Sequence, residues 1–318
     1  MMRDRGNGMQ RSIRYSILIR ALAACAFASI ASASLHAGEM RVERLAFGGH
    51  MRDYILSTPT PHRPRPTVLV LHGSLLNAQV TVQAMGFEPL VAREGLVAVY
   101  PNAIASQWND SRPMTAAWNG GVNDVAFLRA LVSHLVRAGI SDPRRIYIAG
   151  YSNGGMMGLR LICEAPELVA AVAGIGATFP VELAHSCKAP KPTATLIMNG
   201  TADPLVPYAG GALAFGEGYV ISTNATMRFM RRVNGCSDNA SVDRLPDLDP
   251  TDGSRVVVTS WAECASGAPV VLYRIEGGGH RIPSRGEGVP MAEAVLGRLN
   301  HDFEAAQAMW SFFRDKSR

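Results

Sequence analysis

The chain has 318 residues, 47% of them hydrophobic and 18% charged, which is long enough to bury a sizeable core in one large domain or two small ones. The formal net charge of +5 is concentrated at the start: residues 1–33 hold five arginines and one aspartate, and the remainder stands at +1. That remainder offers no basic patch suited to nucleic acid, which excludes a nucleic-acid partner.

The opening "MMRDRGNGMQRSIRYSILIR" is charged, "ALAACAFASIASAS" is small and apolar, and "ASA" at Ala31–Ala33 reads as a cleavage site. This order predicts a secretory signal over residues 1–33, with cleavage as late as Ala37 the alternative. The apolar stretch is too short to span a bilayer. "LAAC" at Leu22–Cys25 also resembles a lipoprotein box, so lipidation at Cys25 stays open. A secreted or periplasmic location follows. Residues 40–318 show no linker, repeat or low-complexity tract, and we read them as a single domain.

"MRVERLAFGGHMRDYILSTP" predicts an antiparallel hairpin at one edge of a sheet. Buried strands follow at Thr67–Gly73, Leu96–Pro101, Ile146–Gly150, Val169–Ala177, Thr193–Gly200 and Pro269–Gly277. Their continuous apolar runs belong to a parallel sheet covered on both faces. Between them lie helical patterns at 123–139, 152–166, 223–236 and 300–316, the first capped by Asn123 or Asp124 and ending at Gly139. "PTPHRPRP" reads as a stiff surface loop and "DLDPTDGSR" as a turn-rich one. The alternation predicts an α/β fold, mostly parallel and doubly wound, with helices on both faces.

Cys25 leaves with the signal, and Cys163, Cys187, Cys236 and Cys264 remain. An even number in an exported chain predicts two disulfides. Pairing Cys163 with Cys187 and Cys236 with Cys264 closes the shortest loops, though four cysteines allow three pairings. Their spacing fits no zinc motif, and no metal site is expected.

Gly150-Tyr151-Ser152-Asn153-Gly154 places a serine at the corner between a strand and a helix. Such a turn needs small neighbours and lifts the hydroxyl above the C-terminal edge of the sheet, near a helix N-terminus. A serine becomes a nucleophile only with a base and a carboxylate that orients the base. In chain order these are Asp203, in a turn after a strand, and His280, on a glycine-rich loop after the last strand. His134 lies within a helix, His72 ends a strand and reads as structural, and His50, His62, His185 and His301 lack a strand-end setting. Asp124 reads as a helix cap, and Asp110 and Asp142 as turn residues. The oxyanion of a tetrahedral intermediate needs two N–H donors, for which the amides of Asn153 and Ser74 are the candidates. Trp108, Met114, Trp118 and Tyr208 fall in predicted strand-end loops, where they either pack the loops or line a pocket; Trp118 and Tyr208 are the substrate-pocket candidates.

"LVLHGSLLNA", "VYPNA", "AWNGGVNDVAFLRALV", "DPRRIYIAGYSNGGMM", "MNGTADPLVPYAGG", "IEGGGHRIP" and "AMWSFF" occur in that order. Together they resemble the exported polyhydroxybutyrate depolymerase and feruloyl esterase group of α/β-hydrolases, over about residues 45–315. The resemblance implies an α/β-hydrolase fold and ester hydrolysis with neither metal nor organic cofactor. It makes Ser152 the nucleophile, Asp203 the acid and His280 the base, with an oxyanion amide at Ser74. Many relatives carry a disulfide-bonded cysteine where Ser74 stands, so a looser oxyanion loop is expected here. Arg281-Ile282 replaces their Thr-Trp pair. The polymer-binding domain of polymer-degrading members is absent from this sequence, which favours hydroxyalkanoate oligomers or small esters over a solid polyester. Feruloyl or acetyl esters of plant polysaccharide are the alternative substrates, and a non-catalytic binding protein on a hydrolase scaffold is the alternative class. Oligomeric state is not legible in the sequence.

Overall fold

The computed structural model describes residues 39–60, 63–188, 191–286 and 290–318. The expected signal over residues 1–33, its cleavage site, Cys25 and His62 lie outside the described residues. The strands are β1 (Glu39–Phe47), β2 (His50–Thr58), β3 (Arg65–Leu71), β4 (Val97–Pro101), β5 (Ser141–Tyr151), β6 (Ala171–Ile175), β7 (Ala194–Gly200), β8 (Gly211–Ala212), β9 (Tyr219–Val220), β10 (Ser241–Arg244), β11 (Arg255–Trp261) and β12 (Val270–Glu276). The helices are α1 (Ala78–Met85), α2 (Glu88–Glu94), α3 (Ala116–Asn119), α4 (Asp124–Arg137), α5 (Asn153–Glu164), α6 (Val181–Ser186), α7 (Thr223–Asn234), α8 (Pro290–Leu296) and α9 (Ala305–Phe313).

The main sheet runs β1-β2-β4-β3-β5-β6-β7-β12-β11-β10, with β8 and β9 paired apart from it. Neighbours from β4 to β12 are parallel, and the pairs at both margins are antiparallel. The predicted hairpin is β1–β2, which turns at Gly48-Gly49. The central strands are apolar on both faces because each face carries a layer of helices. Leu69 and Leu71 pack with Leu128, Leu131, Leu159 and Met227 from α4, α5 and α7. Their neighbours Val68 and Val70 pack with Met85, Val91, Met309 and Phe313 from α1, α2 and α9. This two-residue alternation is the strand period itself, and a fully buried leucine on either side contributes about 1.5–3 kcal/mol.

Local chemistry sets several boundaries. Asn123 caps α4 by accepting the Ala126 N–H at 3.0 Å. Asp124 is therefore not the cap; it is buried in an ion pair with Arg52 at 2.9 Å. β6 covers only 171–175 of the predicted 169–177, and its C-terminal end falls at Ile175 because Gly176, at φ +58°, turns the chain. β8, β9, β10, β11, α1, α2, α3, α6 and α8 were not foreseen from the sequence.

Cys163 of α5 bonds Cys187 after α6, and Cys236 after α7 bonds Cys264 after β11, the pairings that close the shortest loops. The first closes a separation of 24 residues. Removing it as Cys163→Ser/Cys187→Ser is expected to lower unfolding free energy by about 3 kcal/mol through the freed unfolded chain. Urea denaturation of parent and variant measures this, and equal midpoints would show the bond to be thermodynamically idle. Among the described residues no helix is long and apolar enough to cross a membrane.

Candidate active site

β5 ends at Tyr151 and α5 begins at Asn153, so Ser152 stands alone at the corner with φ 54° and ψ −121°. A residue bearing a β-carbon takes such angles only where the surroundings enforce them. Here the helix start is pressed onto the sheet: a Cβ on Gly154 would lie 2.3 Å from the Leu71 carbonyl oxygen. The Ser152 N–H donates to the Ile175 carbonyl at 2.8 Å, which ties the corner to β6.

β7 and β12 are parallel neighbours, so the loops that follow them meet. Asp203 comes from the first and His280 from the second. His280 Nδ1 lies 2.7 Å from Asp203 Oδ2, and both side chains are buried. An ionised carboxylate only accepts, so Nδ1 carries the proton and Nε2 offers its lone pair. The other carboxylate oxygen, Oδ1, accepts the main-chain N–H groups of Leu205 and Val206, each at 2.8 Å. The histidine loop is glycine-rich because backbone crowds it: a Cβ on Gly279 would lie 2.1 Å from the Leu296 carbonyl oxygen.

The imidazole lies over the turn that receives the Ser152 N–H. A Cβ on Gly176, the residue after Ile175, would come within 2.7 Å of the ring's Cε1 and Nδ1. Among the described residues no hydrogen bond joins the Ser152 hydroxyl to His280, a contact that in hydrolases commonly tightens only in the substrate complex. Tyr151 supports the ring from behind. Its hydroxyl donates to the His280 carbonyl at 2.8 Å, and the two rings are 5.0 Å apart. Burial, reinforced by the charge of Asp203, pushes the phenol pKa up and keeps it a donor.

The loop after β3 passes beside the serine: a Cβ on Gly73 would lie 3.3 Å from Ser152 Cβ. The main-chain N–H groups of Ser74 and Asn153 have no protein acceptor among the described residues. This loop was expected to be loose for want of a cysteine at position 74; the structure corrects that. His72 Nε2 accepts the Ala103 N–H at 3.0 Å, so Nδ1 carries the proton and donates to the Gly73 carbonyl at 2.8 Å. The Trp108 indole N–H donates to the His72 carbonyl at 3.1 Å, and the Leu75 N–H donates to the Ser106 carbonyl at 2.9 Å. Trp108 is therefore fully buried and braces the loop; it does not line a pocket. Trp118 lies 45% exposed on α3, and Tyr208, half-buried, reaches Asn224 Oδ1 at 3.4 Å. No hydrogen bond or ring contact among the described residues brings either to Ser152 or His280.

Burial pulls the His72 pKa down to about 4, with the Gly73 hydrogen bond opposing and the charge of Arg52 assisting. A histidine lowered on folding binds its proton more readily in the unfolded chain. Its contribution is complete above pH about 6.5 and is lost as pH falls toward 4, by about 3 kcal/mol in all. Urea midpoints between pH 7 and 4.5 measure the loss. His72→Gln, which cannot protonate, is expected to flatten that part of the profile, and an unchanged slope would refute the assignment. The sequence did not disclose the partnership of Asp110, read there as a turn residue, with Arg112, for which no role was read. They form a buried ion pair at 2.8 Å beneath Asn153, and the D-x-R spacing was the available signal.

A model of the phospholipase/carboxylesterase family matches residues 89–244, a span that includes Ser152 and Asp203. The chain is 31% identical to NocK of Nocardia uniformis subsp. tsuyamanensis, a chain assigned as an esterase, over 83% of this chain and 79% of that one. It is 30% identical to feruloyl esterase B of Piromyces equi over 53% of this chain, and 32% identical to a poly(3-hydroxybutyrate) depolymerase of Ralstonia pickettii over 42%. It spans only 32% and 30% of the length of those two relatives. In fold it is similar to an acetyl xylan esterase from Aspergillus awamori, with a TM-score of 0.53 at 16% identity, over 77% of this chain and 95% of that one. A thermostable esterase gives 0.52 at 17% identity, over 88% and 63%. Sequence identity across four-fifths of NocK, on a parallel sheet that carries the serine corner at the end of β5, makes this chain a member of the esterase family of the α/β-hydrolase superfamily.

Proposed function

We propose that the mature chain is an exported serine carboxylester hydrolase that acts on soluble hydroxyalkanoate oligomers or small esters. The observation that carries this reading is the buried His280–Asp203 pair, 2.7 Å apart, lying over the turn that anchors a serine held at φ 54°. In the proposed sequence of steps, His280 Nε2 takes the Ser152 hydroxyl proton as Oγ attacks the ester carbonyl carbon. The N–H groups of Asn153 and Ser74 receive the resulting oxyanion. The imidazolium, steadied by Asp203, gives its proton to the departing alcohol. A water, deprotonated by the same imidazole, then releases the acid and restores the serine.

Residues 1–33 would be removed on export, and residues 40–318 would form the single catalytic domain. The two disulfides suit an oxidising compartment. Similarity to the Ralstonia pickettii depolymerase supports the hydroxyalkanoate reading. Similarity to the feruloyl esterase of Piromyces equi supports a second one, in which the acyl group is feruloyl or acetyl from plant polysaccharide.

The test is turnover on hydroxybutyrate oligomers, methyl ferulate and acetylxylan, with a fluorophosphonate probe located by mass spectrometry. Modification of Ser152 together with a preference for the oligomers is the expected result. Preference for ferulate or acetylxylan would move the chain to the second reading. Absence of both labelling and turnover would remove the esterase assignment from these residues.

A further inference from the structure

Asn153 needs only its main-chain N–H to serve an oxyanion, yet its side chain is 1% exposed and fully engaged away from the substrate side. Its Oδ1 accepts the Trp108 N–H at 2.7 Å, and its Nδ2 donates to the Trp108 carbonyl at 3.0 Å and to Asp110 Oδ2 at 2.6 Å. Asp110 is wholly buried, and its charge is met by Arg112, whose Nε and Nη2 donate to the carboxylate at 2.8–3.0 Å. Ser111, at φ 80°, folds the chain so that two residues this close in sequence can face each other. Arg112 Nη1 continues to Glu217, donating to its carbonyl at 3.1 Å and to Oε2 at 3.2 Å. Burial alone would lower the guanidinium pKa; the charge and hydrogen bonds of Asp110, then those of Glu217, outweigh it and hold the group above its ordinary value.

The same short segment grips the other side of the site. While the main chain of Trp108 and the carboxylate of Asp110 hold Asn153, the indole of Trp108 holds the His72 carbonyl, two residues before Ser74. One segment thus touches both arms that carry the candidate oxyanion N–H groups. Those arms come from different strands, β3 and β5, and nothing in strand pairing alone fixes the gap between two loop amides above them.

We propose that residues 108–112 form a spacer that sets the distance between the Asn153 and Ser74 N–H groups, with Asp110, neutralised by Arg112, as the positioning residue for Asn153. The proposal rests on the serine-esterase reading above. Its consequence is selective: a disturbed spacer costs stabilisation of the transition state and leaves ground-state binding nearly intact, because the donors fit the oxyanion and not the planar carbonyl.

Asn153→Ala keeps the main-chain N–H and removes the link; Asn153→Asp keeps the shape and sets a carboxylate against Asp110. With p-nitrophenyl acetate, Asn153→Ala is expected to lower kcat about tenfold to a hundredfold, with KM within about twofold, and Asn153→Asp to lower it further. Affinity for phenylboronic acid, which mimics the tetrahedral adduct, should fall in parallel. Fluorophosphonate titration counts competent sites, so kcat refers to folded enzyme alone. Asp110→Asn should act like Asn153→Ala, and the Asn153 variants carry the test if it does not fold. Parent kcat and parent boronate affinity in Asn153→Ala would overturn the spacer. The esterase reading fails separately, if Ser152→Ala retains turnover; a silent Ser152→Ala beside a fully active Asn153→Ala would sink the spacer only.

Discussion

Ser152→Ala is expected to lower kcat on p-nitrophenyl acetate by about 10⁴-fold or more, with KM and thermal stability nearly unchanged. The hydroxyl is the atom that the proposed acyl intermediate requires, and the imidazole and amides left behind can only assist water. Stability should hold because alanine has the same β-carbon and so leaves the backbone strain at the corner unchanged, and the main-chain bond to Ile175 does not involve the side chain. Pre-steady-state release of p-nitrophenol gives a second measure: the parent should show a burst and the variant none. Turnover of the variant within tenfold of the parent would mean that the nucleophile lies elsewhere.

Asp203→Asn is expected to lower kcat by about 10⁴-fold, and the surroundings of the carboxylate dictate how. Oδ1 accepts two main-chain N–H groups, from Leu205 and Val206. An amide there must turn its oxygen toward them, because its NH₂ would set donors against donors. Its NH₂ then faces His280 Nδ1, which must accept. The ring proton moves to Nε2, and the lone pair needed for the Ser152 proton is gone. The substitution is nearly isosteric, so the loss should appear in kcat while the fold persists. Nitrogen NMR of His280 would show protonated Nδ1 in the neutral parent and protonated Nε2 in the variant. A variant with a tenth or more of parental kcat would leave Asp203 without the orienting role.

The sequence revealed those elements whose chemistry is local. Central strands between two helical layers must be apolar on both faces, so β3, β4, β5, β6, β7 and β12 stand out as unbroken runs. The glycines around Ser152 and before His280 mark places where backbone meets backbone, and they are visible without coordinates. α1 was hidden because "AQVTVQAM" mixes β-branched residues into a helix of only eight positions, held by the Asn77 cap on the Val80 N–H. β10 was hidden because all four of its residues are exposed and show no apolar pattern. The roles of Trp108 and Asp110 were hidden for a different reason. An aromatic or a carboxylate in a loop has the same sequence signature whether it faces solvent or is folded under, and only the turn at Ser111 decides.

Among the described residues the ten-strand sheet ends in β1 on one side and β10 on the other, and each leaves a row of main-chain donors and acceptors with no neighbouring strand there. Such rows invite another molecule to add on. On β1, Glu39, Arg41 and Glu43 bridge to one another along the same side as the core-packed Leu45 and Phe47, and Arg44 is exposed on the opposite side; on β10 Asp243 and Arg244 are exposed within a strand of four residues. A second copy approaching either margin would have to strip water from these charges before gaining a single ladder bond. These charges oppose fibre-like stacking at both flanks of the sheet.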